Sequence, residues 1–324
     1  LLNFDYGVAS LRPTARGTEV NLQKSTSYLL IFFVICFCSG LAAQDGKRKK
    51  PPLFKVGVET VFVRVIVSDP SNRYVAGLDK EHFKVFEDDV EQEIVSFEQH
   101  AAPISVGIIF DVSQSMKTNA NIQKAKNAIA RFLESGNPKD EYLLITFNEN
   151  TELVRDFGQR VSTLQNDIVF QKPGGDTALY DAVYMGLSYV TEGKNEKKAL
   201  ILITDGEDNS SRYSPSEVRE FAKETDVQIY GIGEKGEYDY GFPIIEKLVR
   251  LTGGRAFFPN NFNQLDYYID LIHSELRNQY VLGYRPTNKA HDGKWRRIKV
   301  KLDVPRGLPK LKVHAREGYY APKD

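Results

Sequence analysis

Asp111, Ser113 and Ser115 occupy alternate positions of FDVSQSM (residues 110–116), directly after the apolar run ISVGIIF. A carboxylate and two hydroxyls presented together suit three chemistries: a serine nucleophile, a helix cap or a hard-cation site. Nucleophilic catalysis needs a general base beside the serine. His82, His100, His291 and His314 fall in segments that read as flanking β-structure, and His273 lies mid-helix beside Leu271 and Ile272. No Gly-x-Ser-x-Gly elbow occurs. Asp and Ser commonly cap helices after strands, which accounts for one loop but not for a recurrence. Asp205, in ILITDGEDN, stands at the same end of a second apolar strand, and Thr177 lies in the glycine-flanked loop GGDTALYD before a helix. Five oxygen side chains from three loops suit magnesium, manganese or calcium, which take oxygen ligands and often keep several waters.

The elements that must position these residues follow from periodicity. From Pro103 to Asn278, apolar strands alternate with helical patterns, and near-continuous runs such as ISVGIIF and ALILIT signal strands covered on both faces. Helices are expected near 121–133, 163–170, up to about Thr191 after the GGDTALYD loop, 215–225, 243–251 and 263–278. The expected fold for 103–278 is therefore a doubly wound, mainly parallel α/β sheet with helices on both faces. Such sheets bind ligands beyond the carboxyl ends of their strands, where Asp111, Ser113, Ser115, Thr177 and Asp205 fall.

Segments 53–102 and 279–324 read as β instead. Val61, Val63, Val65 and Val67 alternate with Phe62, Arg64 and Ile66, while Ile298, Val300 and Leu302 alternate with Arg297, Lys299 and Lys301. Each block alone is too short to bury an adequate core. The expectation is one immunoglobulin-like β-sandwich built from both blocks, with the α/β domain inserted between its halves.

With 324 residues there is room for about two domains. Lysine plus arginine (43) balances aspartate plus glutamate (43), so no global field favours nucleic acid or an anionic membrane. Residues 1–27 read as a leader, 28–43 (YLLIFFVICFCSGLAA) as a signal peptide, and 44–52 as a basic linker. Export to the periplasm, cell surface or medium is expected, with membrane attachment only if the apolar segment is retained. Both cysteines, Cys36 and Cys38, lie in that segment, so a cleaved chain would have no thiol.

DVSQS (111–115), the threonine of GGDTALYDAV and the aspartate of LILITDGEDN resemble the three parts of the metal-ion-dependent adhesion site of von Willebrand factor A domains. That resemblance implies that Ser113, Ser115 and Thr177 hold a divalent ion directly or through water, with Asp111 and Asp205 completing and orienting the shell. Magnesium is the expected ion, with manganese or calcium as alternatives. Residues 54 to the C-terminus also resemble bacterial exported VWFA-related domain proteins, on GLDKEHFKVFEDDVEQEIVSFEQHAAPISVGIIFDVSQSM and NQYVLGYRPTN…GKWRRIKVKL…VHAREGYYAP. The function implied is non-enzymatic adhesion, in which the ion recruits an Asp or Glu exposed on a partner protein. The alternatives are a structural or scaffold module with a vestigial site and a non-catalytic subunit of a larger enzyme machine.

Weaker signals remain. Gly231-Ile-Gly-Glu-Lys-Gly236 matches a dinucleotide fingerprint literally, but no helix opens directly after it, so it reads as a rim loop that Glu237, Tyr238, Asp239 and Tyr240 extend. Glu207 and Asp208 read as solvated loop charges. Asn209-Ser210-Ser211 is a glycosylation sequon. Trp295, Arg296 and Arg297 read as an alternating basic strand face that discourages edge pairing.

Overall fold

The apolar runs form buried strands, as their composition requires. The computed structural model describes residues 60–324 except 100, 207, 235–241, 305, 306 and 308. The expected leader, signal peptide and basic linker, together with Glu207 and the Glu237–Tyr240 extension, lie outside the described residues. All described residues belong to one compact unit. Among them no helix is long and apolar enough to cross a membrane.

Four strands come first: β1 (Val61–Ser68), β2 (Phe83–Glu87), β3 (Val90–Gln92) and β4 (Ile94–Gln99). Then follow β5 (Ile104–Asp111), α1 (Asn121–Glu134), β6 (Glu141–Phe147), β7 (Thr151–Arg155), α2 (Val161–Phe170), α3 (Leu179–Val190) and β8 (Lys197–Thr204). The α/β region continues with α4 (Pro215–Lys223), β9 (Val227–Gly233), α5 (Phe242–Thr252), β10 (Ala256–Phe257) and α6 (Leu265–Arg277). Last are β11 (Tyr280–Tyr284), β12 (Trp295–Leu302), β13 (Lys312–Ala315) and β14 (Gly318–Tyr320).

The central sheet runs β10-β9-β8-β5-β6-β7, parallel throughout except for the β6–β7 pair. Strand alternation sends Val106, Ile108, Phe110, Ile201 and Ile203 into a core with α1, α2 and α6. Ile109, Leu200 and Leu202 point the other way, into a core with α3, α4 and α5. Helix α4 starts where local chemistry dictates: Pro215 follows the cap Ser214, whose hydroxyl accepts from the Glu217 N–H while Glu217 Oε2 accepts from the Ser214 N–H.

The flanking segments pair with each other across the chain. One antiparallel sheet is β13-β1-β11-β4 and the other β14-β12-β2-β3. Val63, Val65, Val67, Phe83, Val85, Tyr280, Leu282, Tyr284 and Ile298 from both sheets share one core. These sheets meet the α/β region at the amino ends of the central strands. There Asp226 accepts from Arg64 at 2.6 Å and from Arg316 at 2.9 Å, and Gln279 donates to Gln228 at 2.7 Å.

One strand-face expectation is corrected. Arg296 is not part of an exposed basic face: it is 4% exposed and donates to Asp292 Oδ1 at 2.9 Å and to the Ala290 carbonyl at 3.2 Å. It shares the inward register of Ile298, whereas Arg297 and Lys299 point outward. The side chain enters because Asp292 and the Ala290 carbonyl accept from one of its terminal nitrogens, a contact that periodicity does not encode, while its Nε is buried without a partner.

His314, on β13, contacts Ser68 Oγ at 3.2 Å. Burial, with Arg255 and Lys312 adding repulsion, pushes its imidazole down to about 4. The unfolded chain therefore takes up a proton between about pH 6.5 and 4 that the folded chain refuses, so stability falls as pH drops through that window. The expected slope is at most about 1.4 kcal/mol per pH unit. Urea unfolding of the protein and of His314→Gln at pH 7 and pH 4.5 measures it; an equal acid loss in both proteins would assign the dependence to other groups.

Candidate metal centre

Asp111 closes β5 and is fully buried. Its Oδ1 accepts from the Ser113 N–H at 2.7 Å and its Oδ2 from the Thr204 hydroxyl at 2.5 Å. The chain thus turns at Asp111 and directs the following residues across the end of β8. Burial pushes the Asp111 carboxyl up to about 6, against those hydrogen bonds, and the nearby Asp205 adds to the rise.

The neighbouring loops are stapled to this turn by backbone bonds. The Val112 N–H donates to the Phe147 carbonyl at 2.8 Å, and the Val112 carbonyl accepts from the Gly174 N–H at 2.8 Å. Gln114 N–H donates to the carbonyl of Gly175 at 2.9 Å. Gly175 has φ +81°, a conformation glycine adopts at little cost, and this lets the loop fold back towards the rim. Thr177 is held from its other side, because its N–H donates to Asn209 Oδ1 at 2.8 Å and its carbonyl accepts from the Asn209 N–H at 2.9 Å.

Four of the five expected residues are linked directly. Ser113 Oγ and Ser115 Oγ are 2.9 Å apart, Ser115 Oγ donates to Asp205 Oδ1 at 2.7 Å, and Asp111 accepts from the Ser113 N–H. Thr177 joins them at Gly206, where a Cβ atom would lie 3.3 Å from Ser115 Oγ and 3.4 Å from Thr177 Oγ1. The two hydroxyls therefore face one small space that glycine leaves open. Adjacent oxygens in an octahedral shell with metal–oxygen bonds of about 2.1 Å stand about 3 Å apart, close to the separations observed here. The donor set fits a hard divalent cation. Among the described residues, no group of three His, Cys, Asp or Glu side chains has metal-binding spacing, so the candidate centre depends on its hydroxyls.

Gly206→Ala is expected to fold while weakening divalent-ion binding at least tenfold, because its methyl would stand between the two hydroxyls. Calorimetric titration checks this, and affinity equal to that of the unaltered protein would place the ion elsewhere.

Sequence reasoning missed four contributors. Thr204 orients Asp111, and Asn209 anchors Thr177. Asn121, at the start of α1, donates through Nδ2 to Asp205 Oδ2 at 3.0 Å and to Glu234 Oε2 at 2.5 Å. Burial raises the Glu234 carboxyl, with Asn121 opposing that rise and Asp205 adding to it. Polarity at strand ends was the only available signal, and it does not single these residues out. Asp208 has a local task as well: with Ser211 it accepts from the Tyr180 N–H at the start of α3, at 3.3 Å and 2.9 Å respectively. Glycines 231 and 233 of the literal dinucleotide motif belong to buried β9, where a Cβ on Gly231 would lie 2.5 Å from Ile245.

The described histidines do not serve the two serines. His82 accepts from the Asp79 N–H, His291 bonds Asp324, His314 contacts Ser68, and His273 packs edge-on against Phe132.

Comparison with known proteins places this geometry in context. The von Willebrand factor type A domain profile matches residues 105–270. Human inter-alpha-trypsin inhibitor heavy chain H4 is 25% identical over 167 residues, covering 48% of this chain and 18% of that relative. This chain thus spans under a fifth of the length of that curated relative. Among solved structures, proximal thread matrix protein 1 of the mussel byssus, described with a zinc-occupied MIDAS motif, aligns with TM-score 0.50 and 19% identity, covering 57% of this chain and 49% of that one. A von Willebrand factor type A protein from Catenulispora acidiphila aligns with TM-score 0.49 and 11% identity, covering 83% of this chain and 75% of that one.

Proposed function

Because this chain belongs to the von Willebrand factor type A domain family, we propose that its rim site holds a divalent cation and uses it to bind an acidic group of a partner protein. The observation that carries this reading is the meeting of the Ser115, Thr177 and Asp205 side chains around Gly206, with Asp111 anchoring the turn. Ser113, Ser115 and Thr177 would supply hydroxyl oxygens, Asp205 a carboxylate, and Asp111 the orientation of the serine loop. An ion held largely by neutral oxygens retains enough positive charge to attract an incoming Asp or Glu carboxylate. Magnesium is the proposed ion, with manganese and calcium as alternatives of the same oxygen-seeking class.

The remaining parts of the reading are also proposals. The protein acts by binding rather than by catalysis, in keeping with the histidine contacts above. It works outside the cytoplasm, on the reading of residues 28–43 as a signal peptide. The two flanking sheets act as one immunoglobulin-like sandwich, spanning 53–102 and 279–324, that carries the α/β domain on the rim opposite its ion site.

The test is binding of the protein to an array of peptides containing Asp or Glu, in magnesium, manganese, calcium or EDTA. Expected are peptides captured only with an ion and lost when their acid is changed to the amide. Capture that persists in EDTA, or that ignores the acid, would overturn the proposal.

A further inference from the structure

The Asn121 side chain is an oddity at the edge of the ion site. It is 2% exposed, and its single nitrogen serves both Asp205 Oδ2 and Glu234 Oε2. Its own amide oxygen is buried without a hydrogen-bond partner. Exchanging the amide oxygen and nitrogen would not relieve this, because the oxygen would then face two carboxylates. Around the buried Asn121 amide, acceptors therefore outnumber donors, and Asp205 and Glu234 are themselves only partly exposed, so added positive charge is favourable there. Glu234 also accepts from the Phe262 N–H and feels the Lys124 charge at longer range, but among the described residues no Lys or Arg forms an ion pair with Asp205 or Glu234, and Ser115 already donates to the other oxygen of Asp205.

On the reading proposed above, a cation among these oxygens supplies the missing charge. We infer that the divalent-ion site extends to Asn121 and Glu234: the Asn121 amide aims Asp205, and Glu234 contributes a further carboxylate that draws the ion in. Glu234 ends the chain's passage through β9, as Asp111 and Asp205 do for β5 and β8. Three neighbouring parallel strands, β5, β8 and β9, thus each deliver one carboxylate to the same rim. The added negative charge tightens the hold on the ion and weakens the ion's pull on a partner's acid, so Glu234 sets the balance between the two affinities.

Calorimetric titration of the full chain with magnesium and manganese tests this, alongside thermal unfolding in EDTA. Glu234→Gln is expected to weaken ion binding at least tenfold, since a charge is removed close to the ion. Its EDTA midpoint should stay unchanged or rise, because two crowded carboxylates become one. Asn121→Ala is expected to weaken binding severalfold, and Glu152→Asn, which removes an exposed carboxylate on β7, by less than twofold. If Glu234→Gln shows no cooperative transition, Glu234→Asp, which keeps the charge but shortens the reach, is expected to bind with intermediate affinity.

Glu234→Gln binding as tightly as the unaltered protein would overturn the inference while leaving the ion site standing. So would an equal loss in Glu152→Asn, or Glu234→Asp binding with unaltered affinity. Absence of ion binding by the unaltered protein would overturn both this inference and the proposed function.

Discussion

Replacing Asp111 with alanine should abolish ion-dependent stabilisation. In the unaltered protein, an ion that binds only the folded state, present at about 100 times its Kd, adds about 2.7 kcal/mol to stability. In Asp111→Ala that increment is expected to vanish. The carboxylate orders the serine loop by accepting from the Ser113 N–H, and it is tied to the end of β8 by the Thr204 hydroxyl. Alanine leaves both donors without their acceptor, at about 1–3 kcal/mol for each one that stays buried and unsatisfied. Relief of burying a carboxylate offsets part of this, so the ion-free protein should lose about 2 kcal/mol. Asp111→Asn separates the contributions, because it retains an acceptor for Ser113 but removes the charge. It should fold more stably than the alanine variant and still bind the ion at least tenfold more weakly. Thermal unfolding with magnesium and with EDTA reads both quantities. A full magnesium shift persisting in Asp111→Ala would move the ion site away from this turn.

Glu275→Ala should be the most destabilising single change at the junction between the α/β region and the flanking sheets. Arg255 and Glu275 form an ion pair with side-chain exposures of 5% and 0%, and Arg255 also donates to Asn72 Oδ1 at 3.0 Å. The pair therefore links α6, the approach to β10 and a turn of the flanking region. Removing one member strands the other charge in a poorly solvated place, at about 3–5 kcal/mol. Restoring neutrality by Arg255→Met together with Glu275→Leu should recover most of that loss, because the cost lies in the orphaned charge more than in a lost attraction. Urea unfolding of the two single variants and the double variant measures the coupling. A loss below about 1 kcal/mol in Glu275→Ala would show that Arg255 finds adequate hydration or other acceptors.

Much of the framework was legible in sequence because it rests on short-range rules. Runs of branched and aliphatic residues identified β5 and β8 as strands covered on both faces, and helical periodicity near 121–133 located α1. The Ser214-Pro-Ser-Glu217 pattern marks the start of α4 by capping chemistry confined to four residues. The five oxygen side chains of the candidate site also stood out in sequence, because they recur after two apolar strands and in a glycine-flanked loop, and four of them are linked directly in the structure.

Other features depended on which elements become neighbours. The Ser115–Asp205 and Asn121–Glu234 contacts join residues 90 and 113 positions apart. They exist because β8 lies between β5 and β9 in the sheet. Nothing local marks Thr204 as the partner of Asp111, Asn209 as the anchor of Thr177, or Glu234 as part of the cluster. Arg296 looked like one of a row of outward basic residues until Asp292 and the Ala290 carbonyl gave its guanidinium an inward destination. By itself the sequence determined which segments are strands and helices and which loops gather oxygen side chains, since periodicity, caps and turn preferences act over a few residues. Only the tertiary structure decided which of those side chains meet, because strand order and packing set distances between residues that no local rule connects.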